Sequence, residues 1–304
     1  MGPYRRIKYL TLLATFLWSS LILTSCATLS GCNSCTLSPA GTGYTKPYKP
    51  NSFTLIEVAL KLKPSKCVIK GTGQACDEML TMLPPKTIET RGSGTVVKVV
   101  KNETYVLTAD HVCSHPGESQ FEMPYLLGPP DAPRMTAVIT VQQTTEVSAV
   151  DGDGISHKSV VHATDALNDV CLIRSPGGWG IERVVPVAES MPNLGAPVYN
   201  LAAPFGIFEP GKPGVKLHFQ GRYSGSDTRG NYFYTIPARP GSSGSSVLNV
   251  NGEIIGVIHS AMIHFESVAL ASSLTSIQAL MATIPEEEKP HPHQEVMHHF
   301  IFGF

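Results

Sequence analysis

From position 52 to about position 284 the chain is a succession of short β-branched runs cut by turn residues, and this pattern most constrains the fold. Runs fall at 94–100, 104–109, 137–142, 159–163 and 170–173, and again at 198–202, 215–220, 232–236, 246–250, 254–259 and 268–271. Such spacing predicts antiparallel strands in hairpins. Asp151-Gly152-Asp153-Gly154 and Asn251-Gly252 carry the residues that tight hairpin turns require. The 27 glycines and 24 prolines fit a loop-rich all-β protein. One helix is expected, at 274–283, with Ser273 as its N-cap and Pro285 beyond its end.

The 304 residues suffice for one large core or two modest ones. A net charge of −1 gives no electrostatic footprint for nucleic acid. No metal or cofactor is expected: Asp151 and Asp153 read as turn chemistry, and a calcium loop would need later ligands that are missing. The histidines of the tail (His291, His293, His298 and His299) carry no specific reading.

The two ends differ from the middle. Residues 1–26 have a basic start, an apolar run from 9 to 23 and small residues after it, the layout of an export signal. The apolar run is shorter than the ~20 residues that span a bilayer. Its end, Leu23-Thr24-Ser25-Cys26, resembles a bacterial lipobox, which implies a diacylated Cys26 as the new N-terminus and a membrane tether. Ala27 follows the cysteine, and the missing Asp there points to the periplasmic face of the outer membrane. Residues 27–51 have the composition of a flexible linker, and 285–304 that of a disordered tail.

Three segments could carry chemistry. Leu107-Thr108-Ala109-Asp110-His111 ends a strand on a histidine, Asn168-Asp169-Val170-Cys171-Leu172 opens a strand from an aspartate, and Pro240-Gly241-Ser242-Ser243-Gly244-Ser245 is a glycine-framed serine loop. Each alone is a common structural pattern; their conjunction in this order is specific. A serine hydroxyl needs a base to take its proton, and an imidazole titrates in the right range. Five serines fall between Ser242 and Ser260, both included, and the Gly-x-Ser-Gly frame selects Ser243, with Ser245 as runner-up. Asp165 and Asp110 compete with Asp169, but Asp165 has no apolar strand directly after it and Asp110 is adjacent to His111.

The seven cysteines fit an exported protein. If Cys26 is lipidated, six remain. Cys32 and Cys35 lie in the linker. Cys113 follows His111 by two residues and Cys171 follows Asp169 by two, so contact between His111 and Asp169 would bring the cysteines near each other. Cys113–Cys171 and a local Cys67–Cys76 bridge are compatible with this, and so are buried free thiols.

Over about 52–284 the chain resembles the chymotrypsin-like serine peptidases. Thr108-Ala109-Asp110-His111 is similar to that family's Thr-Ala-Ala-His, Asp169-Val170-Cys171-Leu172 to its Asp-[Ile/Val]-Ala-Leu, and Gly241-Ser242-Ser243-Gly244-Ser245 to its Gly-Asp-Ser-Gly-Gly. Ala203-Pro204-Phe205-Gly206 resembles a turn of the bacterial HtrA/Deg branch, here without a PDZ domain. The resemblance implies two six-stranded antiparallel β-barrels, about 52–190 and 191–284, followed by a C-terminal helix. It implies a serine endopeptidase with His111, Asp169 and Ser243 as triad. The N–H groups of Gly241 and Ser243 would form the oxyanion hole, and the substrate would be a protein or peptide. Ser242 replaces the Asp that binds a new N-terminus in digestive relatives, so zymogen cleavage is not expected. By the same alignment His259, Ser260 and Ala261 would form one wall of the specificity pocket and Pro237 its base. No Asp stands there, which argues for a small or apolar residue before the cleaved bond. The competing expectations are a catalytically silent barrel protein used for binding, and an acyl-transfer enzyme, whose parallel βαβ patterning is absent.

Overall fold

The computed structural model describes residues 50–114, 117–125, 135–206, 217–262, 265 and 267–286. All belong to one compact unit, Pro47–Phe304. The export signal, Cys26, Cys32, Cys35, the linker and nearly all of the tail lie outside the described residues.

The first half holds seven antiparallel strands. These are β1 (Phe53–Ile69), β2 (Lys86–Val100), β3 (Glu103–Thr108), β4 (Glu118–Pro124), β5 (Thr136–Val150), β6 (Ser156–Asp165) and β7 (Val170–Pro176). Their order is β1-β2-β3-β7-β6-β5-β4, and β1 also pairs with β5. That pairing closes six strands into a barrel and leaves β4 outside, on the edge of β5. The second half is a closed barrel in the order β10-β13-β12-β11-β8-β9. Its strands are β8 (Pro197–Ala202), β9 (Leu217–Ser226), β10 (Tyr232–Tyr234), β11 (Ser246–Leu248), β12 (Ile254–Ala261) and β13 (Ala269–Ala271).

The hairpin turns form where the sequence places them. Both Asp153 and Ile155 donate backbone N–H groups to Asp151 Oδ1, at 2.9 and 3.0 Å. Gly154 and Gly252 take positive φ, which residues with a Cβ rarely adopt. Strand β1 is much longer than the sequence pattern suggests. Its second half alternates over Leu60–Lys63 but is rich in lysine and is interrupted by Pro64, which argues against a strand. The β1–β5 register shifts between Pro64 and Lys66, an irregularity that accommodates a residue without a backbone donor. This half of β1 lies with β5 and β4 in an arm beyond the barrel. A small core of Ile69, Met79, Ile139 and Val141 and the Cys67–Cys76 bridge hold the arm together.

Two short helices matter for the site. One is a single turn, α1 (Asp110–Cys113); the other is α2 (Leu274–Met281). Ser273 caps α2, its Oγ accepting the Ser276 N–H at 3.1 Å. Ile277 and Leu280 of α2, with Ile284 beyond it, pack in one buried cluster with Leu107, Val170 and Leu172 of the first barrel and Leu248, Ile254 and Val257 of the second. Each such side chain contributes about 1.5–3 kcal/mol of burial. The shared core fixes the two barrels against each other, and with them the junction where His111, Asp169 and Ser243 lie.

Candidate active site

His111 stands on α1, directly after β3. Ala109, buried and extended, turns the chain out of the strand. Asp169 stands in the turn between β6 and β7 at φ +50°, in the left-handed region. Antiparallel pairing of Thr108 with Cys171 brings the two together. Both oxygens of the Asp169 carboxylate are used: Oδ1 accepts the His111 backbone N–H at 2.9 Å, and Oδ2 lies 2.8 Å from Nδ1 of the ring. With Nδ1 donating to the carboxylate, Nε2 is left as the acceptor.

The electrostatics follow from this contact. The hydrogen bond to Asp169 holds the His111 pKa above its ordinary 6.5, against the opposing effect of burial. Burial works to raise the Asp169 pKa, but the bonds from His111 outweigh it and the carboxyl is held below 3.8. The pair is thus poised with an ionised carboxylate and a readily protonated imidazole. The competing Asp165 is used locally, accepting the backbone N–H and side-chain amide of Asn168 at 3.2 and 2.7 Å.

Ser243 lies in the loop before β11, half-buried, and its Oγ donates to the carbonyl of His259 at 3.4 Å. Among the described residues no hydrogen bond joins Ser243 to His111, and no acceptor takes the N–H of Gly241 or of Ser243. Ser245 is fully buried, donates to the Ser242 carbonyl at 2.7 Å and receives the Asn200 amide at 2.9 Å. That leaves no access for a substrate. Ser242 is also buried, its Oγ accepting the Arg239 N–H at 3.3 Å.

A buried residue that the sequence did not single out organises this loop. Ser93 of β2 donates its N–H to the Ser243 carbonyl at 2.7 Å and its Oγ to the Gly241 carbonyl at 2.8 Å. Its own carbonyl accepts the Thr108 hydroxyl at 2.8 Å. Ser93 therefore links the strand leading to His111 with the serine loop. Gly244, at φ +89°, passes so close that a Cβ would overlap the Ser93 carbonyl and Thr108 Oγ1. The available signal was Gly92-Ser93-Gly94, since glycines inside a strand mark close approach of other backbone. Ser272 was also missed; its hydroxyl donates to the backbone carbonyls of Val257 and Asp169 at 3.2 and 3.3 Å.

Two concavities flank the loop. One, of about 350 Å³, is lined by Ala238, Arg239, Pro240, Ser242, Ser243, Ile258, Ser260 and Ala261. Ser260 and Ala261 thus stand on its wall, while Pro237 and His259 are not among its lining residues. His259 turns instead towards Asp169, with Nδ1 4.0 Å from Oδ2 and 3.0 Å from Ser260 Oγ. Burial pushes its pKa below 6.5. The second concavity, of about 420 Å³, lies past Gly241 and is lined by Glu89, Thr90, Arg91, Phe205, Pro240 and Gly241.

Comparison with known proteins identifies the family. The model of the trypsin-like peptidase domain matches residues 92–257, a segment that contains His111, Asp169 and Ser243. The chain belongs to this family, and its double barrel is that of a chymotrypsin-fold serine peptidase. Similar solved structures include a serine endoprotease from Yersinia pestis, at 16% identity and a TM-score of 0.49. The match covers 80% of this chain and 66% of that one. Another is Rv3671c from M. tuberculosis H37Rv, in an inactive serine-to-alanine form, at 17% identity and a TM-score of 0.45, covering 77% of this chain and 87% of that one. No curated protein matches the sequence.

Proposed function

We propose that this chain is an active serine endopeptidase in which Ser243 is the nucleophile, His111 the general base and Asp169 the group that orients and charges the base. The carrying observation is the two-point contact of His111 with Asp169, which leaves Nε2 as the ring's acceptor. On substrate binding the Ser243 hydroxyl turns from the His259 carbonyl to Nε2; catalytic hydrogen bonds commonly tighten only in the complex. Oγ attacks the peptide carbonyl and Nε2 takes its proton. The N–H groups of Gly241 and Ser243 receive the oxyanion, a contribution of about 3 kcal/mol per donor. His111 returns the proton to the leaving amine, and water then releases the acyl group. Asp169 stays ionised throughout.

The residue before the cleaved bond enters the pocket walled by Ser260 and Ala261, whose lining is apolar and hydroxyl groups with Arg239. The absence of an acidic residue among the described lining residues favours a small or apolar side chain over a basic one. The residues after the bond leave past Gly241. There, β2 pairs with β1 along Lys86–Thr95 but with β3 only from Thr95 onwards, so among the described residues no strand pairs with its other edge from 86 to 92, where an added strand could lie.

The protein is exported and tethered through a lipid on Cys26 at the periplasmic face of the outer membrane. The sequence of residues 1–26 supports this, and so do two bridges suited to an oxidising compartment. Labelling with a fluorophosphonate probe tests the catalytic reading: wild type is labelled, Ser243→Ala and His111→Ala are not. A second reading, a silent binding domain, is favoured only by the Ser243 bond to the His259 carbonyl. An unlabelled wild type would support it. Palmitate incorporation that disappears in Cys26→Ala tests the anchor.

A further inference from the structure

Helix α1 is a single turn of four residues. One helical turn fixes several torsions for very few hydrogen bonds, and Ala109 supplies no side-chain cap. The His111 side chain is 47% exposed, so its own packing adds little. Asp169 sits in left-handed backbone, which costs a residue with a Cβ about 1–2 kcal/mol. Neither partner of the His111–Asp169 contact is held by its local structure.

Besides the Thr108–Cys171 strand pairing and the Ser272 bond to the Asp169 carbonyl, two features hold them. Val112 wedges against Gly92, where a Cβ would meet both its methyl groups. Cys113, the last residue of α1, is bonded to Cys171, the second residue of β7, and both are fully buried. The bridge therefore joins the two elements two residues beyond His111 and two beyond Asp169. The Cys67–Cys76 bridge lies in the arm.

We propose that the Cys113–Cys171 bridge is a positioning device for the His111–Asp169 contact and makes catalysis conditional on an oxidised chain. This rests on the peptidase reading above. A small dithiol reaches the buried sulfurs when α1 opens locally, and breaks the one S–S bond. It gives up two electrons and two protons, becomes a cyclic disulfide and leaves two thiols on the chain. Helix α1 then loses its covalent tie to β7 and keeps only noncovalent contacts, such as Val112 against Gly92 and the Thr108–Cys171 pairing before it, and His111 moves off Asp169. The charged and titratable groups facing His111 are Asp169, Asp110 and His259. Only the first is bonded to its ring, so loss of that bond returns the imidazole towards 6.5.

The test uses the full chain in two double variants. Cys67→Ala/Cys76→Ala keeps only the central bridge; Cys113→Ala/Cys171→Ala keeps only the arm bridge. The readouts are the fluorophosphonate labelling rate and, in a Ser243→Ala background, the His111 titration midpoint by NMR. Adding dithiol to Cys67→Ala/Cys76→Ala should slow labelling on the order of 10–100-fold, the scale of a small misplacement of a reacting group. It should also lower the His111 midpoint, as expected for a lost carboxylate bond. Cys113→Ala/Cys171→Ala should show both effects under any redox condition while still unfolding cooperatively. Wild-type rate and midpoint in that variant overturn the proposal. Loss of cooperative unfolding both in that variant and in reduced Cys67→Ala/Cys76→Ala also overturns it, since the bridge would then hold the fold and not the contact. An oxidised wild type that does not label, with a midpoint that still drops on reduction, sinks the peptidase reading and leaves the positioning role standing.

Discussion

Replacing Gly244 with alanine probes how tightly the nucleophile loop is fitted to the first barrel. Gly244 has φ +89°, and the position of its missing Cβ is already taken by the Ser93 carbonyl oxygen and Thr108 Oγ1, with the Ala109 nitrogen 3.1 Å away. The left-handed conformation alone costs alanine about 1 kcal/mol. Relieving the overlap costs a further ~1–3 kcal/mol, because two of the three neighbours are backbone. The loop can retreat only by stretching the bond from the Ser93 N–H to the Ser243 carbonyl and the bond from the Thr108 hydroxyl to the Ser93 carbonyl. Each contributes about 1 kcal/mol. The whole effect is about 4–6 kcal/mol, which for a domain of this size lowers Tm on the order of 10–20 °C. Gly177→Ala is the matched control: φ is +85° and nothing lies within 4 Å of its Cβ position. It should carry only the conformational part and lose about 3 °C. Thermal unfolding by circular dichroism measures both variants, and fluorophosphonate labelling reads the loop directly. The rate in Gly244→Ala should fall about 100-fold, since a shift of about 1 Å misplaces the nucleophile. Equal melting temperatures for the two variants, with wild-type labelling in Gly244→Ala, would refute the steric reasoning.

The other predictions concern the base, the clamp and the second concavity. His111 must be neutral to act as a base, and its pKa is raised by Asp169, so activity should climb with pH through a midpoint above 6.5. Both members of the pair stabilise the fold, with opposite dependence on pH. The His111 part is fully present below 6.5 and lost as pH rises through the raised value, whereas the Asp169 part is present above 3.8 and lost as pH falls through the lowered one. Asp169→Asn should cut kcat about 10⁴-fold by removing the charge and disturbing the tautomer; a pH–rate profile and kcat measured together check both statements. Ser93→Ala removes the hydroxyl that donates to the Gly241 carbonyl and accepts the Ala203 N–H; it should lower kcat more than it raises KM, while stability falls by about 2–4 kcal/mol. Phe205→Ala should lower the kcat/KM ratio between long peptides and short chromogenic substrates several-fold. Phe205 is 71% exposed at φ +56° on the wall of the concavity past Gly241, and an exposed aromatic in strained backbone is a mark of a binding surface.

The strands that are short, β-branched and bounded by Gly, Asn or Asp were legible because their local pattern and their burial agree. Strand β3, its continuation into His111, and the Ser273 cap of α2 are examples. The arm was not legible. Its half of β1 alternates over Leu60–Lys63 because it is solvated on one side, but the lysines have low strand propensity and Pro64 with its bulge interrupts the run. Strand β4, Glu118–Pro124, is a mostly polar edge strand whose alternating apolar residues, Phe121 and Met123, are too few to mark it.

For the site, the linear order of His111, Asp169 and Ser243 and the glycine frame around Ser243 are sequence facts, and they sufficed to nominate the residues. They could not show how those residues are held, because the holding groups are distant in the chain and chemically ordinary. Ser93 and Thr108 look like any strand hydroxyls until the barrels close and their bonds converge beneath the serine loop. Cys113 and Cys171 are simply apolar-run cysteines until β3 and β7 pair. His259 was read as a pocket wall from its place after Ser243, whereas packing at the barrel junction turns its ring towards Asp169. Local chemistry is written in the sequence because side-chain identity and short-range conformational preference are local. The contacts that join His111 to Asp169, and Ser93 to the serine loop, were decided only by closure and docking of the two barrels, since a hydrogen bond or a bridge between distant residues exists only once the fold has brought them within reach.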